Sequence, residues 1–357
     1  MDIFVMFDKK LPKEEMKSEV ENLMLRAFPG TVYQMNYAEH PYVRFHIGGR
    51  RVDLVPAYKM KSAEERLTAV DRSVLHTAYV LKNLKKSRRK DVLLLKQLLK
   101  ANGLYGAEIR VGGFSGYLCE LLAVRYGSFG RLMKEAAKWK LPVVIDLKKY
   151  YRPKDKDGVL KKFGMEFIVI DPTDRNRNVA AALSGENLKK FVSLCRRFDK
   201  KPSENFFFRK PETFEEKIRR MGGVACVVEM PKAEAVDDVL WGQLKRFMKM
   251  LEAELADFEI KDVFADSNGT VKIGIIAGKR IAGGIVEREG PPLKMKKHAD
   301  SFRRAHKGER IIKRKGRLVA FVKTRDRKLE NEVRAMLREN QGRFNHLPLA
   351  KAAVGCL

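Results

Sequence analysis

The chain is poor in features that would anchor it to a membrane or clip it covalently. No apolar run reaches the roughly 18 residues needed to cross a bilayer, and no signal-peptide pattern heads the chain, so no membrane role is expected. Cysteine is scarce. Cys119, Cys195, Cys226 and Cys356 stand far apart without a CxxC pair, and they read as reduced thiols of a cytoplasmic protein rather than a disulfide framework or a zinc site. Internal repeats and low-complexity segments are absent. Acidic residues are outnumbered, with 45 Asp and Glu against 74 Lys and Arg, giving a formal net charge of +29. So one-sided an excess points to a polyanionic partner, nucleic acid first. Charge enrichment for life at high temperature would instead raise both signs.

With 357 residues and 45% hydrophobic content, two or three domains with real cores are expected. "LPKEEMKSEVENLMLRAFPG" places Met16, Val20, Leu23, Met24 and Ala27 on one helical stripe, which Pro29-Gly30 ends. Short strands follow in "TVYQMNY", "PYVRFHI" and, past the Gly48-Gly49 turn, "RRVDLVPAY". The basic stretch "KNLKKSRRK", which could be a loose loop, separates this small α+β unit from a mostly helical region over 91–203. From 204 the pattern changes to strand "VACVVEM", a helix over 235–256, then strands "IKDVFAD" and "TVKIGIIAG". This order suggests a split sheet packed by helices.

Two carboxylates stand out. Asp2 in "MDIFVMF" and Asp53 in "VDLVPAY" lie in otherwise apolar strands, and period two turns Asp53 away from Val52 and Leu54. An ionised carboxylate there is costly unless paired, hydrogen-bonded or metal-bound. Pointing alike on neighbouring strands, the two would form a hard-oxygen site suited to Mg²⁺. Exposure at a strand end, or pairing with an arginine, would equally satisfy each one alone.

"YAEHPYVRFHIGGRRVDLVPAYK", "TAVDRSVLHTAYV", "LLKQLLKANGLYGAEIRVGGFSGYLCELLAVRYGSF" and "IVIDPTDRNRNVAAALSGENLKKFV" together resemble the archaeal (class I) CCA-adding enzymes. These are tRNA nucleotidyltransferases of the polymerase-beta-like superfamily. The resemblance runs in order from residue 1 to about 210. Beyond that it thins to "GPP", "FRRAHK" and "GRLVAFVK", with a tail that reads as shortened. It implies an α+β multidomain fold: a polymerase-beta-like nucleotidyltransferase head over 1–88, a helical central domain over 89–203, and an α+β body with a reduced tail over 204–357.

The resemblance also implies an activity, the addition of C, C and A to a tRNA 3′ end from CTP and ATP in a Mg²⁺-dependent, two-metal reaction. Three carboxylates hold the metals in that family. Asp2 matches the second and Asp53 the third. The first belongs two residues before Asp2, ahead of Met1, as does a Gly-Ser-bearing segment that binds the triphosphate. A longer true chain, a separate small N-terminal polypeptide, or a catalytically silent tRNA-binding protein would each account for this. The first two are the expectation.

Five further residues match the family's nucleotide site: Ser73, His76, Lys96, Tyr105 and Arg177, the last matching the arginine that reads the base edge. Taken singly, His76, Lys96, Tyr105 and Arg177 also have plain structural roles: an interface histidine, a snorkelling lysine, an aromatic at a turn, an arginine at a helix start. The strip "KMKKHADSFRRAHKGERIIKRKGR" carries Lys294, Lys296, Lys297, Arg303, Arg304, Lys307, Arg310, Lys313, Arg314, Lys315 and Arg317 against only Asp300 and Glu309, with Phe302 interleaved. It suits the phosphates of the tRNA acceptor stem and TΨC arm. A homodimer is compatible with the resemblance.

Overall fold

A computed structural model describes residues 1–9, 11–37, 41–59, 72–210 and 212–356. The start of "TAVDRSVLHTAYV" and the "AEH" of the first quoted stretch lie outside them. The chain divides into two compact units, Met1–Pro211 and Glu212–Leu357. No helix of the described residues is long and apolar enough to cross a membrane.

In the first unit, β1 (Asp2–Phe7), α1 (Lys13–Ala27), β2 (Tyr33–Tyr37), β3 (Pro41–Ile47) and β4 (Arg50–Tyr58) form a four-stranded sheet of order β1-β4-β3-β2. β1 runs parallel to β4, and the other pairs are antiparallel. Alternation sends Val43, Phe45, Val52 and Leu54 to one face, where Val20 and Met24 of α1 cover them. The helix stripe is narrower than its sequence suggests. Met16, Val20 and Met24 are buried at spacing four, while Leu23 and Ala27 are exposed.

Next come α2 (Arg72–Asn83), α3 (Arg89–Ala101), α4 (Gly116–Tyr126), α5 (Phe129–Ala137), β5 (Val143–Asp146), α6 (Lys156–Phe163), β6 (Phe167–Asp171), β7 (Asp174–Asn178) and α7 (Gly185–Lys200). "KNLKKSRRK" is not a loose loop. It closes α2, makes a short 3₁₀ turn at Lys86–Arg88 and opens α3. The region is less purely helical than expected, because β5, β6 and β7 form a three-stranded sheet. All five residues of β6, "FIVID", are buried. Phe167 and Val169 face the main helical core, while Ile168 and Ile170 face a smaller core under α6. By the same alternation, Asp171 ends β6 on the helical-core side.

The second unit holds α8 (Phe214–Met221), β8 (Val224–Pro231), α9 (Asp237–Glu254), β9 (Ile260–Asp266), β10 (Thr270–Ala277), β11 (Ile281–Pro292), α10 (Lys296–Ala305), β12 (Arg310–Arg314), β13 (Arg317–Lys328), α11 (Leu329–Glu339) and β14 (Ala353–Cys356). One sheet has the order β14-β8-β10-β9 and the other β11-β13-β12. Leu240, Leu244, Phe247 and Leu251 of α9, with Val333 and Leu337 of α11, cover the first sheet in one core.

The reading of all four cysteines as reduced thiols is corrected. Cys226 and Cys356 are directly opposite each other across the β8–β14 ladder and form a disulfide, and only Cys119 and Cys195 are free. The pairing eluded the sequence because 130 residues separate the partners. Thiol titration of the unreduced, denatured protein should therefore find two groups, rising to four after reduction. Reduction should also lower the thermal midpoint of the second unit, since a cross-link over so long a loop is worth up to about 5 kcal/mol.

Candidate active site

The sequence-predicted residues fall into three clusters in the first unit. In the first, Asp2 and Asp53 are register partners across the parallel β1–β4 ladder, and the Asp53 amide donates to the Met1 carbonyl at 2.9 Å. Partners in a ladder share a face, so both carboxylates lie side by side opposite the Val52–Leu54 core. Asp2 is exposed and Asp53 is 7% exposed. Arg44, facing Asp53 across the β3–β4 ladder, clasps it with two hydrogen bonds, Nε to Oδ1 at 2.7 Å and Nη2 to Oδ2 at 2.9 Å. Arg51 adds a contact at 3.8 Å. Arg44's hydrogen bonds hold the Asp53 carboxyl below the usual carboxylate range, against its partial burial. The guanidinium stands where a cation is wanted, and the two carboxylates fit as part of a hard-oxygen donor set. Among the described residues no group of three or more His, Cys, Asp or Glu is placed to hold a metal.

The second cluster forms at the start of α4. Ser115 caps that helix, its hydroxyl accepting from the Leu118 amide at 3.1 Å. Tyr105 lies opposite Phe114, between the hydrogen bonds from Phe114 to Leu104 and from Gly106 to Phe114. Any Cβ on Gly113 would run into the Leu104 carbonyl, which is why a glycine stands there. Gly116 opens α4, and its Cβ position lies 3.3 Å from the Tyr105 hydroxyl and 3.6 Å from Lys96 Nζ. Lys96 comes from the face of α3 that buries Leu95 and Leu99, and it reaches Glu120 Oε1 at 3.0 Å. Burial pulls the Lys96 ammonium down, but the Glu120 hydrogen bond and charge outweigh this and raise it. Burial raises the Tyr105 phenol. An ammonium and a phenol beside Gly116, at the positive end of the α4 dipole, favour an anion such as a phosphate.

The third cluster centres on Asp171, a residue the sequence reading passed over. Its carboxylate is fully buried and accepts from His76 Nε2 at 2.9 Å, Arg177 Nη1 at 2.8 Å, Tyr117 Oη at 3.3 Å, and the amide and hydroxyl of Thr173 at 2.9 and 2.8 Å. Burial would raise this carboxyl, yet the His76 hydrogen bond and charge, with the Thr173 donors, hold it well below the usual range. An ionised carboxylate only accepts, so His76 is fixed as an Nε2–H donor. The His76 ring stacks on Tyr117 at 3.8 Å between centroids. Burial, with the Asp171 charge, pushes the Tyr117 phenol up. Ser73 lies three residues before His76 on the same face of α2. Arg177 lies on β7 and not at a helix start. Arg177 and the cap Ser115 line one cavity of about 510 Å³, together with Arg72, Asn176 and Asn178. Asp171 could have been found by the rule that singled out Asp53, since it too is a carboxylate on an apolar strand.

In the second unit, all eleven basic residues of the strip are exposed, spread over α10, β12, the turns on either side and the first residue of β13. Arg303 pairs with Asp300, Arg314 with Glu287 and Arg317 with Glu289. The other eight carry no ion pair among the described residues. Phe302 is half-buried against His306 at 4.5 Å and beneath Gly290, so it packs the strip's own helix.

Two family descriptions match the chain: "tRNA nucleotidyltransferase, second domain" over residues 90–208, and "CCA-adding enzyme, C-terminal domain" over residues 221–346. The CCA-adding enzyme of Methanocaldococcus jannaschii is 38% identical over 85% of this chain and 69% of its own length. That of Methanothermobacter thermautotrophicus is 34% identical over 94% and 75%. That of Archaeoglobus fulgidus is 42% identical over 69% and 55%. With the first two of these relatives matched over more than two thirds of their own length at 38% and 34% identity, this chain belongs to the CCA-adding enzymes, the tRNA nucleotidyltransferases.

Proposed function

We propose that this chain adds C, C and A to the 3′ end of tRNA from CTP and ATP, with the three clusters dividing the work. The observation that carries the reading is the in-register pairing of Asp2 with Asp53. Enzymes of this family depend on a divalent metal, here taken as Mg²⁺, which Asp2 and Asp53 would hold once Arg44 releases Asp53. When bound, the metal supplies charge neutralisation at the reacting phosphate. Lys96, Tyr105 and the start of α4 hold the triphosphate as an anion. Ser73 and His76 contact the nucleotide beside them. Arg177 reads the Watson–Crick edge. Because Asp171 takes one of its guanidinium nitrogens, the remaining donors present a fixed fork to cytosine or adenine.

The finer partners belong to the same proposal. The strip from Lys294 to Arg317 tracks phosphates of the acceptor stem and TΨC arm, and a small N-terminal polypeptide is a further partner in this reading. The protein works in the cytoplasm, and a homodimer fits this reading. The division into a head (1–88), a central domain (89–203) and a body (204–357) is the functional division we propose.

The test mixes the chain with tRNA lacking CCA, Mg²⁺ and labelled CTP, with and without a peptide bearing the family's Gly-Ser motif and first carboxylate. Incorporation in either mixture is expected. Its absence from both, with tRNA still bound, would make the chain a silent tRNA-binding protein. The strip has its own test. Reversing Lys296, Lys297 and Lys313 to Glu should weaken tRNA binding by 10-fold or more and flatten its salt dependence by about 0.9 in log–log slope per lost contact. A wild-type affinity that is flat across a salt titration would remove the strip from the interface.

A further inference from the structure

A cavity of about 880 Å³ in the first unit shares no residue with the three clusters. Its walls are the end of α4 (Val124, Arg125), the strand β5, the loop after it and the start of α6. Val124, Val144, Leu147 and Val159 make it apolar inside. Arg125, Lys149, Arg152 and Lys156 are exposed around it, and none forms an ion pair with a described residue. The one acid in the lining, Asp146, is taken up by the amides of Lys148 at 3.2 Å and Tyr151 at 2.9 Å. These bonds shape the loop that carries the cations. Lys149 sits in it at φ 55°, a left-handed backbone that a non-glycine residue adopts only when its surroundings hold it there.

β5 is the edge of its sheet and pairs only with β6. Val143 donates its amide to the Glu166 carbonyl, and alternate residues of a parallel ladder point to the same side. The N–H and C=O of Val144 therefore face the open edge. A donor and an acceptor thus lie beside apolar walls and under a ring of four cations. The volume falls within the ~300–1,000 Å³ range of small-ligand pockets.

We propose that this cavity is a second nucleotide-binding site, taking a nucleoside phosphate whose base lies against the apolar walls and the β5 edge while its phosphate meets the cationic rim. Inorganic phosphate would leave the walls unused. A peptide adding a strand would find an edge only four residues long, too short to hold it by main-chain bonds, whereas one donor–acceptor pair suits the edge of a base. The occupant is either a free nucleotide or one unstacked nucleotide of an RNA strand.

The test is photolabelling of the full chain with 8-azido-AMP, followed by peptide mapping. Label is expected on the peptide spanning residues 143–160, and Arg152→Glu with Lys156→Glu should cut it 10-fold or more. Arg125→Glu serves as a second, independent variant. Label at peptides of the Asp171 cluster is scored separately, so failure of the second site is distinguishable from failure of the reaction site. Protection by excess AMP assigns the cavity to a free nucleotide. Protection by short single-stranded RNA at a lower nucleotide concentration assigns it to RNA. Absence of label from 143–160, label there indifferent to the charge reversals, or equal protection by a glutamate-rich peptide would each overturn the proposal.

Discussion

Asp53→Asn is expected to lower CTP incorporation by at least about three orders of magnitude, equivalent to ~4 kcal/mol at the transition state, in whichever mixture gives activity. A carboxylate contributes a full negative charge to a divalent ion, and an amide contributes only a carbonyl dipole. Among the described residues of the four-stranded sheet Asp2 is the one other carboxylate, in register with Asp53, and Asp2→Asn should act in the same direction. Affinity for tRNA should stay within about twofold of wild type, since the variant leaves the basic strip of the second unit untouched. The variant also loses the ionic part of the Arg44 clasp, so its melting point must be read alongside. Activity within tenfold of wild type would remove Asp53 from the metal site and reduce its role to partnering Arg44.

Asp171→Asn should have the second largest effect, with two separable readouts. The first is nucleotide binding. Without the carboxylate, Arg177 loses its charged anchor and His76 faces an amide that can donate as well as accept, so its tautomer is no longer fixed; KM for CTP and ATP should rise by about tenfold or more, and discrimination against UTP should fall. The second is stability. Removing one partner from a buried charged network costs roughly 3 kcal/mol, and Asp171 is fully buried. Its folded-state pKa is depressed. That stabilisation is therefore present above the unfolded value of about 3.9 and is lost as pH falls through the lower folded value. The stability gap between wild type and variant should be full near neutrality and shrink below about pH 4. A gap unchanged down to pH 2 would mean the network is held by packing and not by charge.

What was legible in the sequence was local. Period two alone turned Asp53 away from Val52 and Leu54, and the parallel pairing then brought Asp2 beside it. Spacing in "LLKQLLK" put Lys96 in an apolar helical face. What was not legible depended on pairings far apart in the chain. His76 and Asp171 are 95 residues apart, and neither local pattern indicates the other. The sheet of β5, β6 and β7 hides inside a region whose longest apolar periodicities are helical, and β6, buried on both faces, shows no alternation to give it away. Arg44 was missed because an arginine on a half-exposed strand gives no sign of its partner until the β3–β4 register is known.

The placement of β14 beside β8 has a consequence for how the second unit is made. Strand β8 lies near the start of that unit and has β10 on one side and β14 on the other, so the outward-facing backbone groups of the stretch 226–229 wait for a segment synthesised more than 120 residues later. During translation the nascent sheet stays open along that border, and removing 353–356 would leave a row of unmet donors and acceptors ready to recruit a neighbouring molecule.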